Sequence, residues 1–282
     1  MKNCSMNVLH AIMLGLIQGL TEFIPISSTA HLTLYAQLTG LIDPSNPQEW
    51  TTFMAVLQLG TLVSVLWYFR NDIITILHSF FRDNIGHNRK IFSEQHATSR
   101  LGWYILIGTV PIVVIGLLGK DIIKGALTKD PLVIAAALIT LALILFFVER
   151  KATFTKNIEQ LSLKDALFIG LMQCLALIPG SSRSGTTMTA GLLRGCTRET
   201  SARFSFLLSI PAIAGSGIFE LKDVIGNFTS ENIVLLLVAT IVSGLSGYWA
   251  IAFLLKFLRT NSMLVFIVYR ILLGLLVLSI TL

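Results

Sequence analysis

Six stretches of the chain are apolar over close to the roughly 20 residues that one bilayer crossing requires: residues 50–69, 101–118, 131–148, 204–219, 233–257 and 263–282. They predict six transmembrane helices. Two further apolar regions, 8–38 and 163–193, are interrupted midway by Pro, Ser, Thr and a charged or ionisable residue, and they predict re-entrant helical hairpins. Backbone freed at such a break is tolerated at membrane depth only where it is buried in protein or faces water. The pattern therefore implies an all-α polytopic membrane protein, a single integral domain over 1–282, with a polar cavity inside it.

The two interrupted regions resemble each other. Gly15-Leu-Ile-Gln18-Gly-Leu20 recurs as Gly170-Leu-Met-Gln173-Cys-Leu175, each is followed by Ile-Pro and a Ser-Ser pair, and Pro25 matches Pro179 across a one-residue gap. More weakly, the segment 53–57 lies against 204–208. A duplication of about 150 residues follows, with one repeat over about 6–149 and the other over about 163–282. Each copy holds one hairpin and three crossings, and an odd number of crossings inserts the second copy upside down, which is the inverted-repeat architecture.

Charge fixes the orientation. The stretches 70–100, 150–164, 194–203 and 256–259 hold fourteen of the 21 Lys and Arg residues, whereas the opposite side holds Lys2, Lys120, Lys124, Lys129 and Lys222. By the positive-inside rule the first set is cytoplasmic. Both termini then lie outside, the first hairpin dips in from outside, the second rises from the cytoplasm, and their tips meet. With 54% hydrophobic and 13% charged residues and a mean hydropathy of +0.78, the net charge of +6 marks loops and excludes nucleic acid as a partner. Cys4, Cys174 and Cys196 have no metal or redox spacing and read as small apolar fillers. The first apolar run continues into polar sequence and reads as part of the fold, not as a cleaved signal.

The first tip reads Gln18-Gly-Leu-Thr-Glu22-Phe-Ile-Pro25-Ile-Ser27-Ser28-Thr29-Ala-His31. Gln18 and Glu22 share a helix face that ends before Pro25. A carboxylate at this depth costs about 2.5 to 3.5 kcal/mol on insertion scales, so Glu22 pairs, binds an ion or does chemistry; pairing with Arg183 or Arg270 for structure alone is the plainer alternative. Ser27 or Ser28 can cap a new helix, whose N-terminus attracts an anion. His31 follows Ser28 by three residues, so both are expected to approach one ligand.

The second tip reads Pro179-Gly180-Ser181-Ser182-Arg183-Ser184-Gly185-Thr186-Thr187. It combines glycines, hydroxyls, a helix N-terminus and a guanidinium that can grip phosphate bidentately. The hydroxyls alone would read as helix caps; Arg183 among them turns the reading towards a phosphate cradle. Arg270 lies inside the last apolar stretch, where it would neutralise Glu22 or touch a substrate, with structural pairing the default. Trp, Tyr and Phe along the spans need only a packing or lipid-interface role.

These two segments resemble the signature motifs of the bacterial undecaprenyl pyrophosphate phosphatase family, also called the bacitracin-resistance family. The first motif has Glu or Gln, three residues, then Glu, filled by Gln18 and Glu22. The second is a Pro-Gly-x-Ser-Arg-Ser-x-x-Thr pattern, filled by Pro179, Gly180, Ser182, Arg183, Ser184 and Thr187. The resemblance runs through the chain. It implies hydrolysis of undecaprenyl pyrophosphate to the monophosphate in the bacterial inner membrane, a site open to the periplasm, and assistance by a divalent metal, magnesium or calcium.

On that reading Glu22, Ser28, His31 and Arg183 are catalytic. Ser27, Ser182, Arg183, Ser184 and Thr187 bind phosphate, Glu22 with Gln18 holds the metal, and Arg270 supports. The nucleophile stays open between Ser28, His31 and an activated water. Gln18, uncharged, leaves Glu22 as the essential carboxylate. The rival class is a lipid flippase or transporter using the same cavity, since inverted repeats with broken helices are a transporter arrangement; a paired Ser28 and His31 favours the enzyme. A structural membrane subunit would leave Glu22, His31 and Arg183 at membrane depth unexplained. Expected partners are the lipid substrate and membrane lipids. A homodimer stays open, with no sequence feature behind it.

Overall fold

The computed structural model describes residues 6–42, 47–85, 89–227 and 229–282; Lys2 and Cys4 lie outside them. The chain forms α1 (Val8–Phe23), α2 (Ser28–Thr39), α3 (Pro47–Tyr68), α4 (Arg70–Asn84), α5 (Ala97–Leu118), α6 (Lys120–Lys124), α7 (Pro131–Lys151), α8 (Leu163–Gln173), α9 (Arg183–Leu193), α10 (Arg198–Asn227), α11 (Ser230–Leu258) and α12 (Leu264–Thr281). Among the described residues, α3, α5, α7, α10, α11 and α12 are long and apolar enough to cross a membrane. Each contains most or all of one predicted stretch, so the chain is an all-α polytopic membrane protein. Two boundaries differ for one reason. The start of α10, through Arg198, Glu199 and Arg203, and the whole of α4 are helical but polar, and hydropathy does not register a polar helix.

The interrupted regions are helical hairpins. Pro25 lacks an N–H and pushes Ile24 into extended backbone (ψ 134°), which stops α1. Chain direction then reverses and Ser27 caps α2. In the second hairpin α8 tightens into a 3₁₀ turn over Cys174–Leu177, passes Pro179 and Gly180, and restarts as α9 behind Ser182. The outer ends of each hairpin lie together: the rings of His10 and Tyr35 are 6.2 Å apart, and Arg194 at the end of α9 donates to Asp165 in the first turn of α8 at 2.6 Å. With 16 and 12 residues in the first hairpin and 11 and 11 in the second, every arm is at most about 24 Å long at 1.5 Å per residue.

Glycines decide how the hairpins pack. A Cβ on Gly15 would fall 2.4 Å from the Ala239 carbonyl oxygen, and one on Gly19 2.5 Å from that of Ser243, so α1 lies with its backbone on α11. A Cβ on Gly170 would fall 2.2 Å from the Gly108 oxygen, which sets α8 equally close on α5. Helices that gain little from excluding lipid associate through such close approach. The first arm of each hairpin thus leans on a long helix from the other half of the chain, α1 on α11 and α8 on α5. Around them α3 packs with α10 and α11, and α7 with α12.

Ion pairs show which loops share a face. Arg203 bonds Asp72 at 2.7 Å, Arg198 bonds Glu149 at 2.6 Å, Arg194 and Lys156 both reach Asp165, and Arg259 reaches Glu199 at 3.1 Å. These contacts tie together all four basic stretches. At another set of loops Lys124 pairs with Glu220 at 2.7 Å, Thr52 donates to Glu220 at 2.8 Å, and the Gln37 amide reaches the Lys129 carbonyl at 2.8 Å.

Candidate active site

The two hairpin tips meet on Glu22. Its Oε2 accepts from Gln18 Nε2 at 2.8 Å and from Ser28 Oγ at 2.6 Å. Its Oε1 accepts from Arg183 Nη2 of the other hairpin. The local sequence explains each donor. Gln18 lies one turn before Glu22 on α1, the Pro25 break folds Ser28 back onto that turn, and Arg183 opens α9. A buried carboxylate is tolerable when its oxygens are satisfied and its charge is paired, and both conditions hold here. Ser184 Oγ adds a second bridge between the tips, donating to the Ile24 carbonyl at 3.3 Å.

Ser27 and Ser182 are the caps. Ser27 Oγ accepts from Ala30 N at 3.3 Å and Ser182 Oγ from Gly185 N at 3.1 Å. Both have left-handed backbone, with φ of 75° and 68°. That conformation costs a non-glycine residue about 1–3 kcal/mol and persists only where the surroundings impose it. The other hydroxyls of the second tip face inward. Thr187 Oγ1 donates to the Arg183 carbonyl at 2.8 Å and shares a 2.6 Å bond with Ser205, and Ser184 Oγ also meets Ser182 Oγ at 3.2 Å. Of the predicted phosphate-binding set, Ser27, Ser182 and Arg183 line the cavity described below, and Ser184 and Thr187 do not.

Ser28 and His31 take different partners. The His31 Nδ1 is 2.7 Å from the Ser27 carbonyl, and its Nε2 is 2.6 Å from the Tyr269 hydroxyl on α12. A carbonyl only accepts, so Nδ1 carries a proton; in the neutral ring Nε2 then accepts from Tyr269. His31 is absent from the cavity wall. Ser28 and His31 stand one turn apart at the start of α2, Ser28 bonded to Glu22 and His31 to Tyr269.

Arg270 corrects the expected pairing. It is 1% exposed and bonds no carboxylate among the described residues. Its Nη2 donates to the Ser181 carbonyl at 2.9 Å and, more weakly, to that of Gly180 at 3.3 Å, while Nη1 lies 3.5 Å from the Pro25 carbonyl.

A cavity of about 410 Å³ runs from Glu22, Ser28 and Arg183 between α3, α5 and α10 to Lys120, Lys124 and Glu220. Its middle is apolar, with Met54, Val113, Leu117 and Phe219 among its walls. Val113, Leu117 and Phe219 are 44%, 61% and 50% exposed, whereas Lys124 and Glu220 are buried. The sequence reading missed Lys124, Glu220 and Tyr269. In the sequence Lys124 reads only as loop charge, Glu220 stands at the edge of its apolar stretch with no reading attached, and Tyr269 resembles an interfacial aromatic.

Oxygen donors for a divalent cation are few. Among the described residues no three His, Cys, Asp or Glu side chains cluster. The Gln18 Oε1 atom is nonetheless buried without a hydrogen-bond partner beside Glu22. One carboxylate and one free amide oxygen fit an ion that takes its remaining ligands from water and phosphate, as magnesium commonly does.

The model of the bacitracin resistance protein BacA family matches residues 11–276. The chain belongs to the BacA family. Proteins similar to this BacA-family member include one named undecaprenyl-diphosphatase from Syntrophobacter fumaroxidans, 50% identical over 269 residues and covering 95% of each chain. Another of that name, from Myxococcus xanthus, is 48% identical over 273 residues, covering 97% of this chain and 89% of its own. A third, from Nocardioides, is 45% identical over 270 residues, covering 94% and 93%.

Proposed function

We propose that this protein is an undecaprenyl-diphosphatase, cleaving undecaprenyl pyrophosphate to undecaprenyl phosphate and inorganic phosphate at the junction of the two hairpin tips. The observation that carries the reading is the Glu22 carboxylate, which holds Ser28 Oγ at 2.6 Å and the Arg183 guanidinium on its other oxygen. A nucleophile and a phosphate-binding cation thus share one carboxylate, itself the base, at one end of a cavity with apolar walls. The lipid relatives' substrate has that division, a doubly phosphorylated head and a prenyl tail.

In the proposed reaction the pyrophosphate enters the cavity and draws the Arg183 guanidinium from Glu22 onto its own oxygens, joined by N–H groups at the starts of α2 and α9. Glu22, released, accepts the Ser28 hydroxyl proton. Ser28 Oγ forms a bond to the terminal phosphorus as the bond from that phosphorus to the bridging oxygen breaks, and undecaprenyl phosphate leaves with the electron pair. Arg183 stabilises the charge on the transferring group. Glu22 passes the Ser28 proton to the departing undecaprenyl phosphate. Water then attacks the phosphoserine phosphorus and gives a proton to the freed Glu22; the bond from phosphorus to Ser28 Oγ breaks, inorganic phosphate leaves, and Glu22 returns the proton to Ser28 Oγ. His31, held between Ser27 and Tyr269, orients the start of α2; a role as acid, base or nucleophile requires it to leave Tyr269. A magnesium or calcium ion held by Glu22 and Gln18 would supply further neutralisation of the phosphate charge.

The basic face joined by Asp72–Arg203 and Glu149–Arg198 is the cytoplasmic one on the charge rule. The Lys124 end of the cavity then faces the periplasmic side of the bacterial inner membrane. Inverted repeats over about 6–149 and 163–282 account for the exchanged packing of α1 on α11 and α8 on α5.

The test is phosphate release from undecaprenyl pyrophosphate by protein purified in detergent, with and without chelator. Wild type turns over, and folded Arg183→Ala, Glu22→Ala and Ser28→Ala do not. Lipid binding by the wild type with no phosphate released would sink the hydrolase reading in favour of a carrier of lipid phosphates.

A further inference from the structure

We infer that Arg270 is a positioning residue for the phosphatase centre: a buried clamp on the two hairpin breaks that fixes where Arg183 and Glu22 stand relative to each other. The inference rests on the function proposed above.

A broken helix leaves carbonyls without partners, and those at membrane depth have no water to turn to. The break of the second hairpin presents the Gly180 and Ser181 carbonyls, and the first presents that of Pro25; Arg270 is the side chain that donates to all three. The acceptors are adjacent to the active residues in sequence. Ser181 precedes Ser182, whose φ is 68°, and Ser182 precedes Arg183. Pro25 stands two residues before Ser27, whose φ is 75°, and Ser27 precedes Ser28. A guanidinium fork spans two such turns, whereas a lysine ammonium is a point donor.

The neighbourhood is shaped to admit that fork. A Cβ on Gly185 would lie 2.7 Å from Arg270 Nη1, so any larger residue there displaces the guanidinium. No carboxylate answers Arg270 among the described residues, and Glu22 is already taken by Arg183. The positive charge therefore stands at the two breaks, where it favours an anion at the helix starts without being lost to an ion pair among the described residues.

The test uses Arg270→Lys, which keeps the charge, and Gly185→Ala, which keeps Arg270 but crowds it, each compared with wild type for kcat, KM and thermal unfolding in detergent. Both variants are expected to lose about tenfold or more in kcat, since misplacement by an ångström has effects of that size, with KM within about threefold and the unfolding temperature little changed. A double-mutant cycle separates positioning from plain stability. If the clamp places Arg183, then Arg183→Ala costs much less activity in the Arg270→Lys background than in the wild type. Fully additive losses, or a kcat within about threefold of wild type for both variants, would overturn the inference.

One arm is independent of turnover. In a background with Cys4, Cys174 and Cys196 replaced by Ser, the pair Ile24→Cys and Ser184→Cys reports the contact between tips by its rate of disulfide formation. Slower cross-linking with Arg270→Lys supports the clamp, and an unchanged rate argues against it. A wild type inactive on undecaprenyl pyrophosphate would remove the phosphatase reading, and the cross-linking result would still judge the clamp.

Discussion

Ser27 and Ser182 occupy matching places in the two hairpins: each has a left-handed backbone, at φ 75° and 68°, and each accepts a hydrogen bond from the N–H three residues on. The spacing between them is the one that separates Gly15 from Gly170 and Gln18 from Gln173. The likeness of the two segments in sequence is thus matched in the backbone of their caps, and what differs is the next residue, Ser28 after one and Arg183 after the other.

Glycine relieves a left-handed φ while losing the cap, and alanine loses the cap while keeping the strain. Ser27→Gly is expected to leave stability within about 1 kcal/mol of wild type, and Ser27→Ala to cost about 0.5–2 kcal/mol. Thermal unfolding of the two variants side by side measures the difference, and an alanine variant more stable than the glycine one would contradict the cap.

Glu22→Gln keeps the shape of the group that Gln18, Ser28 and Arg183 surround but cannot take a proton. Phosphate release should fall by about 10²-fold or more, the size of a lost general base. Glu22→Ala additionally leaves the Arg183 charge unpaired, and breaking a buried pair costs about 3–5 kcal/mol. Activity assays paired with unfolding curves distinguish the two variants.

Gly170→Val places a branched side chain where a Cβ already meets the Gly108 oxygen at 2.2 Å, and Gly19→Val does the same against Ser243 at 2.5 Å. Overpacking of this kind costs about 1–3 kcal/mol or more. Both variants should give less folded protein by size exclusion. Gly116→Ala, where nothing lies within 4 Å of the new Cβ, is the control that should behave like wild type.

Asp83, on the polar helix α4, accepts from the His96 N–H and ring, each at 3.0 Å, and from Arg82 at 3.1 Å. Burial pushes its carboxyl up, but the His96 and Arg82 donors outweigh burial and hold it well below the usual carboxylate range. A depressed folded value stabilises fully above the unfolded pKa of about 3.9, and that stability is lost progressively as pH falls from there through the folded value. Asp83→Asn should thus unfold at a lower temperature than wild type at pH 6–7, and the gap should narrow progressively as pH falls below about 4.

The sequence by itself determined the class, the six crossings, the two interrupted hairpins and the residues that meet at their tips. Apolar length against bilayer thickness leaves few alternatives, and a carboxylate or arginine at that depth has to have a partner. Ion pairs between loops also gather the four basic stretches on one face, as their charge predicted. Only the tertiary structure decided which partner each polar group takes. Glu22 met Arg183 and not Arg270, because α9 starts beside it while Arg270 on α12 bonds the carbonyls of both breaks. His31 turned to Tyr269, far along the chain, and Thr187 to Ser205. Spacing along one helix orders side chains on that helix alone. Which of them faces the cavity depends on where a reversed turn sends the next helix, and on the backbone contacts at Gly15, Gly19 and Gly170 that set one hairpin against its neighbours.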